Sequence, residues 1–244
     1  VSGSARIALT VVAVLAAVAP RASAAAPAVE TMVAGRTAVL APVAQARAAA
    51  ATVRVGGRSC RVAAGTPLAA LAAVRRAGGP AFRLRDYGSC SRRARDAASL
   101  FVTRIGPDAN RGQDGWVYKV GPRVGSGGAG DVTGPFGTRR LLRTGDRLLW
   151  FWCVSGAGGC QRTLAVSAPR TVAPGGSLAV RVRGFDDRGR GVVVAGATVT
   201  AGGRTATTGA DGAAILPGPW SGTVSVEATR RGLAPSFPEE VLAG

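Results

Sequence analysis

The sequence predicts a mostly-β chain with one helix: an α+β domain followed by an all-β sandwich. Three observations carry this. Two aromatic segments, Gly115–Val120 and Gly145–Cys153, each read as a strand entered through a polar turn. They hold three of the four Trp and one of the two Tyr in a chain otherwise poor in aromatics. One amphipathic helix is marked over Thr66–Ala77. Beyond Cys160, short alternating runs recur between Gly, Pro and Asp turns, which is the texture of a sandwich.

Taken in order, the chain begins with an export pattern. Arg6 precedes an apolar run from Ile7 to Ala19, Pro20 breaks it, and Ala22-Ser23-Ala24 offers small residues for cleavage. This is the order of a signal peptide over residues 1–24, with a mature chain starting near Ala25. An uncleaved anchor is the alternative, although the run is short for a bilayer span. Residues 25–50 are rich in Ala, Val and Pro without a clean period, and read as a linker.

The first domain is placed at residues 51–160. Thr52–Val55 alternates, Gly56-Gly57 turns the chain, and Ser59–Val62 follows, a hairpin signal. Thr66 suits the helix N-cap and Pro67 its first turn. Leu68, Leu71, Ala72 and Val74 share one helix face, Arg75 and Arg76 favour the C-terminal dipole, and Gly78-Gly79-Pro80 ends it. Residues 81–96 are polar and Arg-heavy. Leu100–Ile105 is a strand, turned by Gly106-Pro107-Asp108 towards the Trp116 segment.

Residues 121–137 contain seven Gly and read as a long loop. Gly125-Ser126-Gly127-Gly128-Ala129-Gly130 matches GxGxxG, yet Thr133, Gly134, Pro135 and Gly137 follow instead of a helix. Without a helix N-terminus no dipole holds a pyrophosphate, so a dinucleotide site is rejected. The sandwich is placed at 161–244. Its strands are expected at 163–167, 177–183, 196–201, 204–208, 213–216 and 223–228.

Four Cys in an exported chain read as two disulfides. Three connectivities exist, and the sequential one, Cys60–Cys90 and Cys153–Cys160, is favoured. Cys153 ends a strand, and Gly156, Gly158 and Gly159 let the chain return within six residues. Closing the longer loop is worth about 3–4 kcal/mol in chain entropy. A zinc site lacks both a CxxC pair and any His.

The formal net charge is +18, and of 31 basic residues only Lys119 is not Arg. Such an Arg-for-Lys bias fits a GC-rich genome. Residues 25–160 hold 20 basic and 7 acidic residues; residues 161–244 hold 9 and 6. A basic surface favours anionic partners such as wall polymers. The Arg residues are scattered and not striped along one helix, which favours a solvated surface without a dedicated partner, and no nucleic acid is expected. No segment of the mature chain reads as a transmembrane span, and the location expected is secreted or cell surface.

The blocks Gly115-Trp116-Val117-Tyr118-Lys119-Val120 and Gly145-Asp146-Arg147-Leu148-Leu149-Trp150, with the helix at 66–77 and the strand Phe101–Ile105, make residues 52–153 resemble a bacterial family. It is the one related to the C-terminal β-domain of transcobalamin. The resemblance implies a β-grasp-like fold with a ligand-facing edge. The transcobalamin domain closes over a corrin ring against a helical barrel, which this chain lacks, so vitamin binding is not implied. The long 121–137 loop and the Cys153–Cys160 staple depart from the family pattern. Val194–Val199 followed by Thr208–Ala213 resembles an immunoglobulin-like or carboxypeptidase-regulatory-like module.

Trp116 and Tyr118 are the candidate ligand-binding residues, as an aromatic platform for a sugar or ring. The competing reading makes these aromatics core, and Trp150 is expected to be buried. No catalytic residue, metal ligand or cofactor is predicted. General acid–base chemistry without His falls to carboxylates, and Asp108 and Asp114 sit in turn contexts that suit capping. Asp186, Asp187 and Asp211 are weighed as calcium ligands, but the neighbouring Arg183, Arg188 and Arg190 oppose a dication. The function expected is an exported, non-enzymatic binding or adhesion module for an anionic wall polymer or small ligand. The alternative is a wall-associated spacer held by basic charge, and an enzyme is a remote alternative. The oligomeric state is not legible.

Overall fold

The computed structural model describes residues 25–244, and the expected export segment, residues 1–24, lies outside them. Among the described residues no helix is long and apolar enough to cross a membrane. The chain is mostly β.

The segment expected as a linker is instead two strands, β1 (Ala28–Ala34) and β2 (Val39–Arg47). The strand β1 pairs antiparallel with β2 and parallel with β10 (Arg147–Cys153). It is thus internal and covered on both faces, and such strands lose the in–out alternation that betrays a half-buried one. Pro42 is tolerated because β2 forms an edge.

A hairpin follows, β3 (Ala51–Val55) and β4 (Arg58–Val62), then the helix α1 (Pro67–Arg76). Thr66 caps α1 by accepting from the Ala69 N–H at 3.2 Å. Eight consecutive helix residues from Pro67 to Val74 are buried, which suits an Ala-rich helix covered on most sides. Gly78 ends it at φ +93°, a conformation that costs other residues.

Within the polar, Arg-heavy segment lies β5 (Phe82–Asp86), paired with β6 (Leu100–Ile105), which in turn pairs with β7 (Asp108–Ala109). β8 (Gly115–Val120) and β9 (Arg123–Val124) complete the main sheet, in the order β2-β1-β10-β8-β9. The first module thus combines a hairpin, a helix across one face and a closing strand parallel to the first. Its core gathers Leu68, Leu71, Ile105, Trp116, Tyr118, Trp150 and Trp152. Both expected disulfides are formed, Cys60–Cys90 with Cα atoms 5.4 Å apart and Cys153–Cys160 at 5.1 Å. The second closes a small hairpin of β11 (Ser155–Gly156) and β12 (Gly159–Cys160).

The rest of the chain is two facing sheets. One holds β13 (Thr163–Ser167), β15 (Leu178–Phe185), β16 (Gly191–Val193) and β19 (Ala213–Leu216). The other runs β14 (Thr171–Val172), β21 (Glu239–Ala243), β20 (Gly222–Thr229), β17 (Thr198–Ala201) and β18 (Arg204–Thr207). Strict alternation in β15 and β20 sends Val180, Val182, Val224 and Val226 into one shared core with Trp220.

Candidate functional site

β8 alternates in a way that builds two different surroundings. Trp116 and Tyr118 point to the helix side of the sheet; Val117 and Lys119 point to the other. On the helix side, Tyr118 stands opposite Trp150 and Trp116 opposite Trp152 on β10. The ring centroids are 5.3 and 6.0 Å apart, the second pair edge to face. The two sets of aromatics therefore form one cluster.

Trp116 and Tyr118 are 3% and 6% exposed, so they are a groove wall and not an exposed platform. The Trp116 indole N–H donates to the Asp108 carbonyl at 2.8 Å, and the Tyr118 hydroxyl donates to the Gly127 carbonyl at 2.7 Å. Burial pushes the Tyr118 phenol well above its ordinary pKa, and the Asp131 charge adds to that. Trp150 is 1% exposed, as expected, and its indole N–H has no partner among the described residues.

The Tyr118 hydroxyl explains the Gly-rich loop. A Cβ at Gly125 would collide with the Tyr118 ring, and one at Gly128 with the Ala98 carbonyl. The run that imitates a dinucleotide motif is glycine-rich so that it can lie flat on the aromatic wall.

The outer edge of β8 is only partly covered. Val120 pairs with Arg123 on β9, Gly125 N–H donates to the Tyr118 carbonyl at 3.0 Å, and Trp116 N–H donates to Asn110 Oδ1 at 3.0 Å. Between these bonds the Trp116 carbonyl and the Tyr118 N–H also face outward. Neither has a hydrogen-bond partner among the described residues. They face a groove bounded across the way by β6, whose two adjoining cavities measure about 350 and 570 Å³. Both cavities are lined by Tyr87, Phe101, Trp116 and Val117.

Tyr87 and Phe101 are the exposed aromatics, 65% and 45% accessible, with ring centroids 6.0 Å apart. The Arg85 guanidinium lies 4.9 Å over the Tyr87 ring. Arg83 and Arg104 are cross-strand neighbours on β5 and β6. None of these three Arg makes a salt bridge among the described residues.

The hairpin that carries them is fixed by Asp86, whose side chain is 2% exposed. Asp86 accepts from the Ser99 hydroxyl at 2.7 Å, the Cys90 and Gly88 N–H groups at 2.9 and 3.0 Å, and Arg58 at 2.9 Å. These bonds, Ser99 first, hold its carboxyl below the ordinary 3.8. The anchor therefore stabilises the hairpin above that ordinary value and is lost as pH falls through the lowered one.

The opposite face of β8 packs on the second module. Met32, Leu149, Phe151 and Cys153 meet Ala234 and Phe237. Lys119 is fully buried there. Its ammonium donates to the Phe185 and Asp186 carbonyls at 2.9 and 3.0 Å and to Thr163 Oγ1 at 3.3 Å, with Asp187 Oδ1 at 3.6 Å. Burial lowers its pKa, and Asp187 opposes that. Arg147 lies between Glu30 and Glu239 at the rim of a small seam cavity of about 210 Å³.

Sequence reasoning named Trp116 and Tyr118 but not Tyr87, Phe101, Arg83, Arg85 or Arg104. Their signal was the alternation Arg83-x-Arg85-x-Tyr87 on one strand face. The carboxylates weighed as catalytic, Asp108 and Asp114, and those weighed for calcium, Asp186 and Asp211, serve the backbone. Asp108 accepts from Arg36 N–H, Asp114 from Ser155 N–H, Asp186 from Arg188 and Arg190 N–H, and Asp211 from Ala213 N–H. No protein-family model matches the chain, and neither a curated protein nor a solved structure matches it.

Proposed function

We propose that this chain is an exported, non-enzymatic binding module whose ligand occupies the groove between β6 and β8. The observation that carries this is the pair of unpaired backbone groups on β8, at Trp116 and Tyr118, opening onto an aromatic wall. Unpaired backbone groups inside a fold are rare and costly, so a site that supplies their partners is favoured there. Three unpaired Arg on the rim select for negative charge. The two disulfides accord with an oxidising location. The resemblance to the transcobalamin β-domain family implies a ligand-facing edge on this module.

The spacer reading is favoured by one observation, the excess of Arg over the whole surface. Titrating the full chain with corrinoids, glycans and wall polymers while recording amide shifts separates the two. Groove binding shifts the amides of Phe101, Val117 and Tyr118 first and persists at 0.5 M salt, where charge attraction alone is screened within about 5 Å. Shifts spread over the Arg surface that vanish at that salt would favour the spacer.

A further inference from the structure

We propose that the occupant of this groove is a short acidic peptide, one residue of which forms a parallel β-bridge with Val117. The proposal rests on the groove reading above and adds the ligand's chemistry. A parallel bridge needs a carbonyl one residue before its centre and an N–H one residue after it, both on the same edge. The Trp116 carbonyl and the Tyr118 N–H are that pair, and both are unpaired. A single peptide residue answers with its own N–H to Trp116 and its own carbonyl to Tyr118, the main-chain part of strand addition.

Length follows from the neighbours. Asn110 fills the outer edge at the Trp116 N–H, and Gly125 fills it at the Tyr118 carbonyl. Only one residue is bridged, so the peptide is short or leaves the edge on both sides. Its continuation on the β6 side meets Arg83, Arg85 and Arg104, which lack carboxylate partners among the described residues. Carboxylates at the flanking positions would form charge-assisted bonds with them. Tyr87 and Phe101 give the ligand's apolar atoms a surface.

The test uses the full chain, labelled for amide NMR, and three probes. These are acetyl-Glu-Ala-Glu-amide, the same peptide N-methylated at its central Ala, and an acidic oligogalacturonate. The acidic peptide should move the Tyr118 amide downfield and slow its hydrogen exchange. Central N-methylation removes the donor to Trp116 while keeping both charges, and should weaken binding about tenfold, the worth of one well-made hydrogen bond. Arg83→Ala with Arg85→Ala, both exposed, should weaken the parent peptide by at least as much and leave the melt unchanged. Equal binding of the methylated and parent peptides would overturn the bridge. Groove shifts with oligogalacturonate alone would overturn the peptide and leave the groove reading standing. Absence of groove shifts with every probe would overturn both.

Discussion

β8 has a closed side and an open one. Towards the second module, its Lys119 meets four oxygen atoms from Thr163, Phe185, Asp186 and Asp187. Along its outer edge, one and three residues away, Tyr118 N–H and Trp116 carbonyl meet none among the described residues. The same six-residue strand thus builds a sealed seam and an unfinished groove. On the proposed reading the difference separates stability from recognition: groups that hold the protein together are paired within the chain, whereas those offered to a ligand stay open.

The largest expected effect lies between the two sides. Trp150 sits beside Tyr118 under the groove, and its neighbour Phe151 faces the seam. Trp150→Ala should cost about 3–5 kcal/mol, the usual loss for a large buried ring. Urea denaturation measures it. An unchanged midpoint would mean that the aromatic wall carries no weight and that the groove has no rigid floor.

The closed side is probed next. Lys119→Met keeps the apolar stem and removes the donors, leaving the Phe185 and Asp186 carbonyls and the Asp187 carboxylate without their cation. Breaking a buried ionic contact on one side typically costs about 3–5 kcal/mol, and the 21% exposure of Asp187 places this case at the lower end. Because Lys119 joins the two modules, calorimetry should resolve one transition into two. A single transition at the original temperature would show that apolar packing around Phe151 and Phe237 suffices to couple them.

The two sides were unequally legible in the sequence. Cross-strand aromatics, the Thr66 cap, the β3–β4 hairpin and the sequential disulfides announce themselves by residue type and local spacing. Six of the nine sandwich strands did so through alternation, to within two residues at their ends, whereas β14, β16 and β21 went unread. β1 escaped because an internal strand of Ala, Val, Thr and Met lacks alternation. β5 was masked by its exposed Arg83 and Arg85.

The seam left one trace that composition alone offered. In a chain with 30 Arg, the single Lys is the cation that enters the buried seam. A compact ammonium gives three donors in a narrow space, whereas a planar fork needs more room. The groove was invisible for a different reason. Which backbone groups stay unpaired depends on where Asn110 and Gly125 end up, and no local pattern encodes that.

The smallest effect tests the open side most directly. Tyr118→Ala deletes a buried ring and confounds fold with binding, since Tyr118 belongs to the core. Tyr118→Phe keeps the ring and removes only the hydroxyl that donates to Gly127. That bond is worth about 0.5–1.5 kcal/mol net, so the melt should fall by only a few degrees. The loop over residues 125–130 should nevertheless loosen, because its glycines leave no side chain on the aromatic wall. Faster hydrogen exchange at Gly125, whose N–H bonds to the Tyr118 carbonyl, would report this, with exchange across β13 and β15 unchanged. A loosened loop with reduced groove binding would tie the roof to recognition. Exchange that rises equally in the second module would place the Tyr118 hydroxyl in global stability, and the division between the two sides of β8 would fail.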